Sequence, residues 1–79
     1  MDKIEKFIAK LSKNEALTVL KILDQLELRQ YQSLRLKKLK ALPGLFSTRT
    51  GKIRLICRKI GDEYRLIDID YRNKVYKNL

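Results

Sequence analysis

The sequence lacks histidine altogether and contains a single cysteine among its 79 residues. Histidine is the commonest general acid or base and the commonest transition-metal ligand, so its absence excludes most of that chemistry. Because Cys57 stands alone, neither an internal disulfide nor a thiol-based metal site can form, and a reducing cytoplasm is the expected setting. The chain also has no P-loop, no G-x-S-x-G motif and no Cys-His pair, which argues against the common nucleotide-binding and hydrolase classes.

Backbone-breaking residues and long apolar runs are equally scarce. One proline and three glycines, with 44% hydrophobic residues, indicate a packed domain rather than a disordered basic tail. No apolar run approaches about 18 residues, and the first residues lack the basic and apolar regions of a secretory signal. The sequence therefore predicts one small domain, residues 1–79, that is cytoplasmic and neither exported nor membrane-spanning.

Positive charge is present in excess and is unevenly distributed. The net charge is +10; residues 1–32 hold six basic and five acidic side chains, whereas residues 33–79 hold thirteen basic and four acidic ones. These halves carry +1 and +9, a concentration that solubility alone does not require. The second half is therefore predicted to bind a polyanion, with a general solubilising charge as the alternative.

Two helices are predicted in the first half, forming a helical hairpin over residues 1–32. Apolar side chains at helical spacing place the first over residues 2–11, and they are Ile4, Phe7, Ile8 and Leu11. Ser12 and Glu15 form a capping-box pattern that begins the second helix, which extends to about residue 28. Residues 29–40 fit a loop, a short helix or an extended segment equally well.

Strands are predicted after the breaker Pro43-Gly44. They cover residues 45–49, 52–60 and 63–69, joined by turns at 50–51 and 61–62, and residues 71–79 fit a strand end or a short helix. The fold class is therefore α+β, with the helical hairpin packed on one face of a small antiparallel β-sheet within residues 45–76. The opposite face is predicted to be open and partly cationic.

Arginine, lysine and tyrosine remain as candidates for chemistry, and they suit one substrate. RNA supplies its own nucleophile, the 2′-hydroxyl, so an enzyme need only align it, neutralise the phosphorane charge and move two protons. Arg49, Arg54 and Arg58 form the most coherent cationic cluster, with solvated surface charge as the alternative. Tyr76 is a candidate for proton transfer or a packing residue.

Acidic residues give a weaker signal. Asp68 and Asp70 share a strand face and could hold magnesium with substrate phosphates, but ion pairs with nearby arginines or simple solvation are favoured. No metal and no cofactor are therefore predicted.

Two stretches resemble the signature of the RelE/ParE toxin superfamily. Residues 45–56, LFSTRTGKIRLI, resemble its arginine-bearing strand, tight turn and Arg-aliphatic-aliphatic sequence, and residues 70–76, DYRNKVY, resemble its closing His-Arg-x-x-Val-Tyr motif. Residues 37–40, KKLK, with 42–45, LPGL, resemble the usual entry into the sheet. Together with the helical hairpin, the resemblance covers nearly the whole chain.

The resemblance implies a RelE-like toxin of a type II toxin–antitoxin system, acting on mRNA at the ribosome without metal and neutralised by a cognate antitoxin protein. Carried over by position, the catalytic residues would be Arg54, Arg49, Arg72 and Tyr76. The RNA- or phosphate-binding residues would be Lys37, Lys38, Lys40, Lys52, Arg58 and Lys74. A catalytically silent RNA-binding module of the same fold and a ParE-like gyrase inhibitor are the alternatives.

The chain departs from the family pattern at three points. Members usually begin with a strand before the hairpin, whereas residues 4–7 of this chain are already in helical register. A sheet that lacks this edge strand is therefore one alternative. Tyr71 stands where histidine is common. Leu45 and Ser47 stand where lysines are frequent on the first strand.

Overall fold

Two helices precede an antiparallel sheet in the computed structural model, which describes residues 2–72. The elements, in chain order, are α1 (Lys3–Ala9), α2 (Lys13–Glu27), a 3₁₀ helix (Tyr31–Leu34), β1 (Lys37–Lys38), β2 (Leu45–Thr50), β3 (Ile53–Ile60) and β4 (Glu63–Tyr71). The predicted α+β class with N-terminal helices is confirmed. None of the helices in residues 2–72 has the length and apolar character needed to cross a membrane.

Side-chain caps set where both helices begin. The Glu15 N–H donates to Ser12 Oγ at 3.2 Å and the Ser12 N–H donates to Glu15 Oε1 at 3.4 Å, which forms the predicted capping box. Asp2 caps α1 with a single hydrogen bond, in which its carboxylate accepts from the Glu5 N–H at 2.9 Å. Helix α1 ends at Ala9, two residues before its predicted end, but Leu11 still packs against the core.

The four strands form one antiparallel sheet in the order β1-β2-β3-β4. Two-residue turns join β2 to β3 and β3 to β4, and each begins with a glycine at positive φ, Gly51 at 57° and Gly61 at 62°. Glycine adopts this left-handed region without the steric penalty of a Cβ atom. The first turn lies one residue later than predicted, and β1 falls in the segment that the sequence left undecided.

A β-bulge in β4 changes which residues face the helices. Ile56 pairs with Asp68 while Cys57 pairs with Leu66, so Ile67 is the additional residue on β4. Before the bulge, Tyr64 and Leu66 contact the helical core; after it, the buried residue is Ile69. The bulge therefore places Asp68 and Asp70 on the face of the sheet away from the helices.

The main core lies between the helices and the sheet. It consists of the buried residues Val19, Ile22, Leu26, Leu34, Ile53, Leu55, Cys57 and Ile69. A second, smaller cluster covers the middle of the other face, where Leu45 and Ile56 are buried beneath Leu39 and Leu42. The prediction that this face is open was therefore wrong at its centre, because the segment between β1 and β2 folds over it.

The Cys57 thiol is buried in this core, and burial raises its pKa to about 11 from an ordinary value of 9.0. The unfolded chain thus releases the thiol proton at lower pH than the folded chain does. The contribution of the neutral thiol to the free energy of unfolding is therefore fully present below about pH 9 and is lost as the pH rises toward about 11. We expect the free energy of unfolding to fall by up to about 3 kcal/mol over that range, relative to Cys57→Ala.

Urea titrations at successive pH values would measure this difference. Cys57→Ala is the reference because other groups titrate in the same range in both chains. Parallel pH profiles for the two proteins would contradict the assignment.

Candidate nucleic-acid interface

A groove of about 700 Å³ lies between the C-terminal half of α2, the segment after the 3₁₀ helix and the outer edge of β2. Five cationic side chains line it, and the described lining residues include no carboxylate. These cations are Arg35, Lys37, Lys38, Arg49 and Arg54, and we call this site the basic groove. A concave surface with one sign of charge concentrates counter-charged ligands, here polyanions.

The groove exists because β1 is much shorter than β2. Lys37 and Lys38 pair with Ser47 and Phe46, so residues 48–50 of β2 extend past the end of β1. Arg35 turns the chain into β1 with a left-handed φ of 52°. The Thr48 hydroxyl donates to the Leu34 carbonyl oxygen at 2.6 Å and holds the 3₁₀ helix against β2.

Arg49 and Arg54 are directly opposite each other on neighbouring strands. Directly opposed residues share a sheet face with Cβ atoms roughly 5 Å apart, and two like charges in this arrangement destabilise the sheet. Arg54 is half-buried whereas Arg49 is exposed. Arg54 also lies directly opposite Asp70 on β4, so it is flanked by one like and one opposite charge. A phosphate bound beside Arg49 and Arg54 would add charge-assisted contacts to both guanidinium groups.

The lysines of β1 approach the groove from two sides. Lys37 lies opposite Ser47 and therefore on the same sheet face as Arg49, whereas Lys38 lies opposite Phe46 on the face toward the helices. Both lysines are exposed and line the groove. They can therefore contact successive phosphates of a chain that follows the β2 edge.

The remaining predicted site residues lie at other positions. Arg58 is exposed on the Arg54 face, in the row occupied by Leu45 and Arg65, beyond the buried Ile56. The Arg72 N–H donates to the Lys52 carbonyl oxygen at 2.6 Å, which places both beside the β2–β3 turn.

Lys40 is exposed after β1 and is not among the described lining residues. Lys74 and Tyr76 lie outside the described residues. Two of the four catalytic candidates, Arg49 and Arg54, are thus brought into one groove.

Sequence reasoning missed Arg35. Arg35 belongs to the segment 29–40, in which the alternation of basic and apolar residues predicts neither a helix nor a strand. The cluster of Arg35, Lys37 and Lys38, five to eight residues before Pro43, was the available signal, since it concentrates cations at the entrance to the sheet.

Asp68 and Asp70 are paired with a lysine of α1. Lys3 Nζ lies 2.6 Å from Asp68 Oδ1 and 3.8 Å from Asp70 Oδ2. Asp68 is buried and also accepts from the Ile69 N–H at 2.9 Å. An ion pair was favoured over a metal site, and Lys3 supplies a cation to both carboxylates. Within residues 2–72, no group of three or more histidine, cysteine or carboxylate side chains could hold a metal ion.

A second groove, of about 500 Å³, lies between the end of α2 and β4 and is chemically different. Arg29 forms ion pairs with Glu63 and, at 3.6 Å, with Asp62, while Arg65 lies 3.6 Å from Glu63. The Tyr64 N–H donates to the Tyr31 hydroxyl at 3.2 Å, and the two rings pack edge to face. Its balanced charges do not favour a polyanion, so the basic groove is the candidate nucleic-acid interface.

Comparisons with known proteins give no relative. No protein-family model, no curated protein and no solved structure matches the chain.

Proposed function

We propose that the protein binds single-stranded RNA in the basic groove and acts as a RelE-like toxin that cleaves mRNA on the ribosome. The observation that carries the proposal is the meeting of five cationic side chains, Arg49 and Arg54 among them, in one groove whose described lining residues include no carboxylate. Neighbouring guanidinium and ammonium groups favour a ligand that carries several negative charges, and the RNA backbone offers one phosphate per nucleotide.

The proposed chemistry needs no metal. A 2′-hydroxyl attacks the adjacent phosphorus, the bond to the 5′-oxygen breaks, and a 2′,3′-cyclic phosphate and a 5′-hydroxyl end form. Arg54 grips the scissile phosphate and neutralises the phosphorane, while Arg49 holds the phosphate from the neighbouring strand. Arg72 supports the phosphate, and Tyr76 stacks on a base or assists proton transfer, as the resemblance implies.

The overall arrangement agrees with this proposal. A helical hairpin packed on one face of an antiparallel sheet is the architecture expected of a RelE-like fold, and the cations concentrate along one edge of that sheet. In this proposal the protein works in the cytoplasm on ribosome-bound mRNA. A cognate antitoxin would neutralise it, and an acidic segment of that antitoxin would compete for the basic groove.

Binding without cleavage is the second candidate function, and one observation favours it. The described lining of the basic groove contains no tyrosine and no carboxylate that could transfer a proton. A groove of arginine, lysine and hydroxyl side chains is sufficient to hold a phosphate backbone. Mapping new mRNA 5′ ends after induction in a bacterium separates the two functions, since cleavage produces codon-phased ends and binding alone does not.

RNA affinity should depend steeply on salt. If all five groove cations contact phosphates, the slope of log K against log[salt] should be about −3.5 for a single strand. Lys37→Ala should lower the slope by about 0.7, because one counterion-releasing contact is removed. Fluorescence anisotropy with an unstructured RNA oligonucleotide would measure both values.

Lys21→Ala is the matched control, since Lys21 is exposed on α2 and is not among the described groove-lining residues. It should leave the slope unchanged. Affinity independent of salt, or equal effects of the Lys21 and Lys37 substitutions, would exclude the basic groove as the RNA site.

A further inference from the structure

Helix α2 exposes leucines on the side that faces away from the core. The exposed fractions are 57% for Leu17 and 45% for Leu20, whereas Val19 is fully buried. At about 3.6 residues per turn, Lys13 and Asp24 fall on the same outer stripe as the two leucines. We call these four residues the outer stripe of α2; their spacing of four, three and four residues is that of a coiled-coil seam.

The charge around this stripe differs from that of the basic groove. Residues 1–28 carry five lysines and five acidic residues, so the helical part of the chain is neutral while the rest carries the net charge of +10. A polyanion is therefore not attracted to the stripe. A second copy of the chain, repelled by the cationic sheet, meets no net repulsion at this surface.

We propose that the outer stripe of α2 is a self-association surface on which two copies pair their α2 helices antiparallel around a two-fold axis. An axis passing between residues 18 and 19 brings Leu17 against the partner's Leu20 and Lys13 against the partner's Asp24. Twofold symmetry repeats both contacts, so two leucine pairs are flanked by two ion pairs. Charge complementarity within the stripe selects this register over its neighbours.

The contact is small and the dimer is weak. Two single helices bury less area than the roughly 1,200 Å² that stable complexes require, so the dimer exchanges with monomer. The groove-lining residues contributed by α2 are Ile22 and Gln25, neither of which belongs to the outer stripe. Each copy in the dimer therefore keeps its own basic groove, and dimerisation can be tested independently of RNA binding.

Sedimentation equilibrium of the full chain tests this proposal. Between roughly 1 µM and 1 mM protein, the mass should rise from that of a monomer toward that of a dimer. Leu20→Lys should lower the association constant by about tenfold or more, because it places a charge at the centre of the contact. The matched control is Ile60→Lys, which also replaces an exposed apolar side chain by lysine. Ile60 is 49% exposed and lies at the end of β3, outside α2.

Charge reversal tests the register itself. Lys13→Glu and Asp24→Lys should each weaken self-association, whereas an equimolar mixture of the two variants should recover it, since each then faces an opposite charge. Monomer at all concentrations, equal effects of the Leu20 and Ile60 substitutions, or no recovery in the mixture would overturn the proposal. Circular dichroism of each variant verifies that α2 remains folded.

Discussion

Arg54→Ala is expected to weaken binding of single-stranded RNA by roughly 10- to 100-fold and to abolish mRNA cleavage. A hydrogen bond to a charged group contributes about 1.5–3 kcal/mol, and 1.4 kcal/mol corresponds to tenfold in affinity. Arg54 is the half-buried member of the opposed arginine pair, so its contact with phosphate is better shielded from water than that of Arg49. Anisotropy titrations, together with mapping of mRNA ends, would measure both losses.

The same substitution should change stability little, which distinguishes a functional role from a structural one. Ile53 and Leu55, the buried neighbours of Arg54 on β3, keep their positions in the core. Arg54 lies opposite Arg49 on β2 and Asp70 on β4, so its removal takes away one like and one opposite charge, and Asp70 Oδ2 keeps Lys3 Nζ at 3.8 Å. The free energy of unfolding should therefore stay within about 1 kcal/mol of its original value.

Arg65→Ala is the matched control because Arg65 is an exposed arginine on the same sheet face, outside the described lining of the basic groove. It should leave RNA affinity and cleavage unchanged. If both substitutions weaken binding equally, the sheet face as a whole binds RNA and the basic groove is not the site.

Arg54→Lys separates charge from geometry. Lysine keeps the positive charge but cannot grip two phosphate oxygens with a planar fork. We expect the salt dependence of binding to persist and the cleavage rate to fall, since the phosphorane loses its bidentate contact. Cleavage at the original rate in this variant would mean that Arg54 acts as a general positive charge.

Features set by local interactions could be predicted from the sequence. The capping box of Ser12 and Glu15, the apolar face of α1 and both glycine turns depend on residues a few positions apart, so their patterns are visible in the chain. The opposition of Arg49 and Arg54 depends on the turn lying at residues 51–52. The predicted turn at 50–51 would place Arg49 opposite Lys52, so this pair could not be derived from the sequence without the correct register.

Features that depend on pairing between distant segments could not be predicted from the sequence. The bulge at Ile67 depends on how β4 aligns with β3, and the adjacent apolar pair Leu66-Ile67 was its weak signal. Leu39 and Leu42 follow β1 but bury Ile56, which is more than a dozen residues later. The basic groove likewise depends on the Thr48–Leu34 hydrogen bond, so Arg35 could not be assigned to it from spacing alone.

Leu55→Ala is expected to have the largest effect on stability. Leu55 is fully buried at the centre of the sheet, directly opposite Thr48 on β2 and Ile69 on β4. Truncating a buried leucine removes transfer free energy and leaves a cavity, at a cost of about 2–5 kcal/mol. A domain of this length has a stability of roughly 4–12 kcal/mol, so the loss is a large part of the total.

Thermal unfolding followed by circular dichroism should show a decrease in Tm of roughly 12–24 °C for a loss of about 3 kcal/mol. The matched control is Ile60→Ala, in which the substituted side chain is 49% exposed and the cost should remain below about 1 kcal/mol. Similar decreases for both variants would contradict the central place of Leu55 in the core.

RNA provides a link between this stability and the basic groove. A ligand that binds the folded state alone stabilises it by about 2.7 kcal/mol at a concentration 100 times its Kd. RNA should therefore restore most of the Tm lost in Leu55→Ala, because that variant keeps all five groove cations. At the same RNA concentration, Leu55→Ala combined with Arg54→Ala should recover far less, since the RNA no longer binds at that strength. Equal recovery in the two variants would place the stabilising RNA contact outside the basic groove.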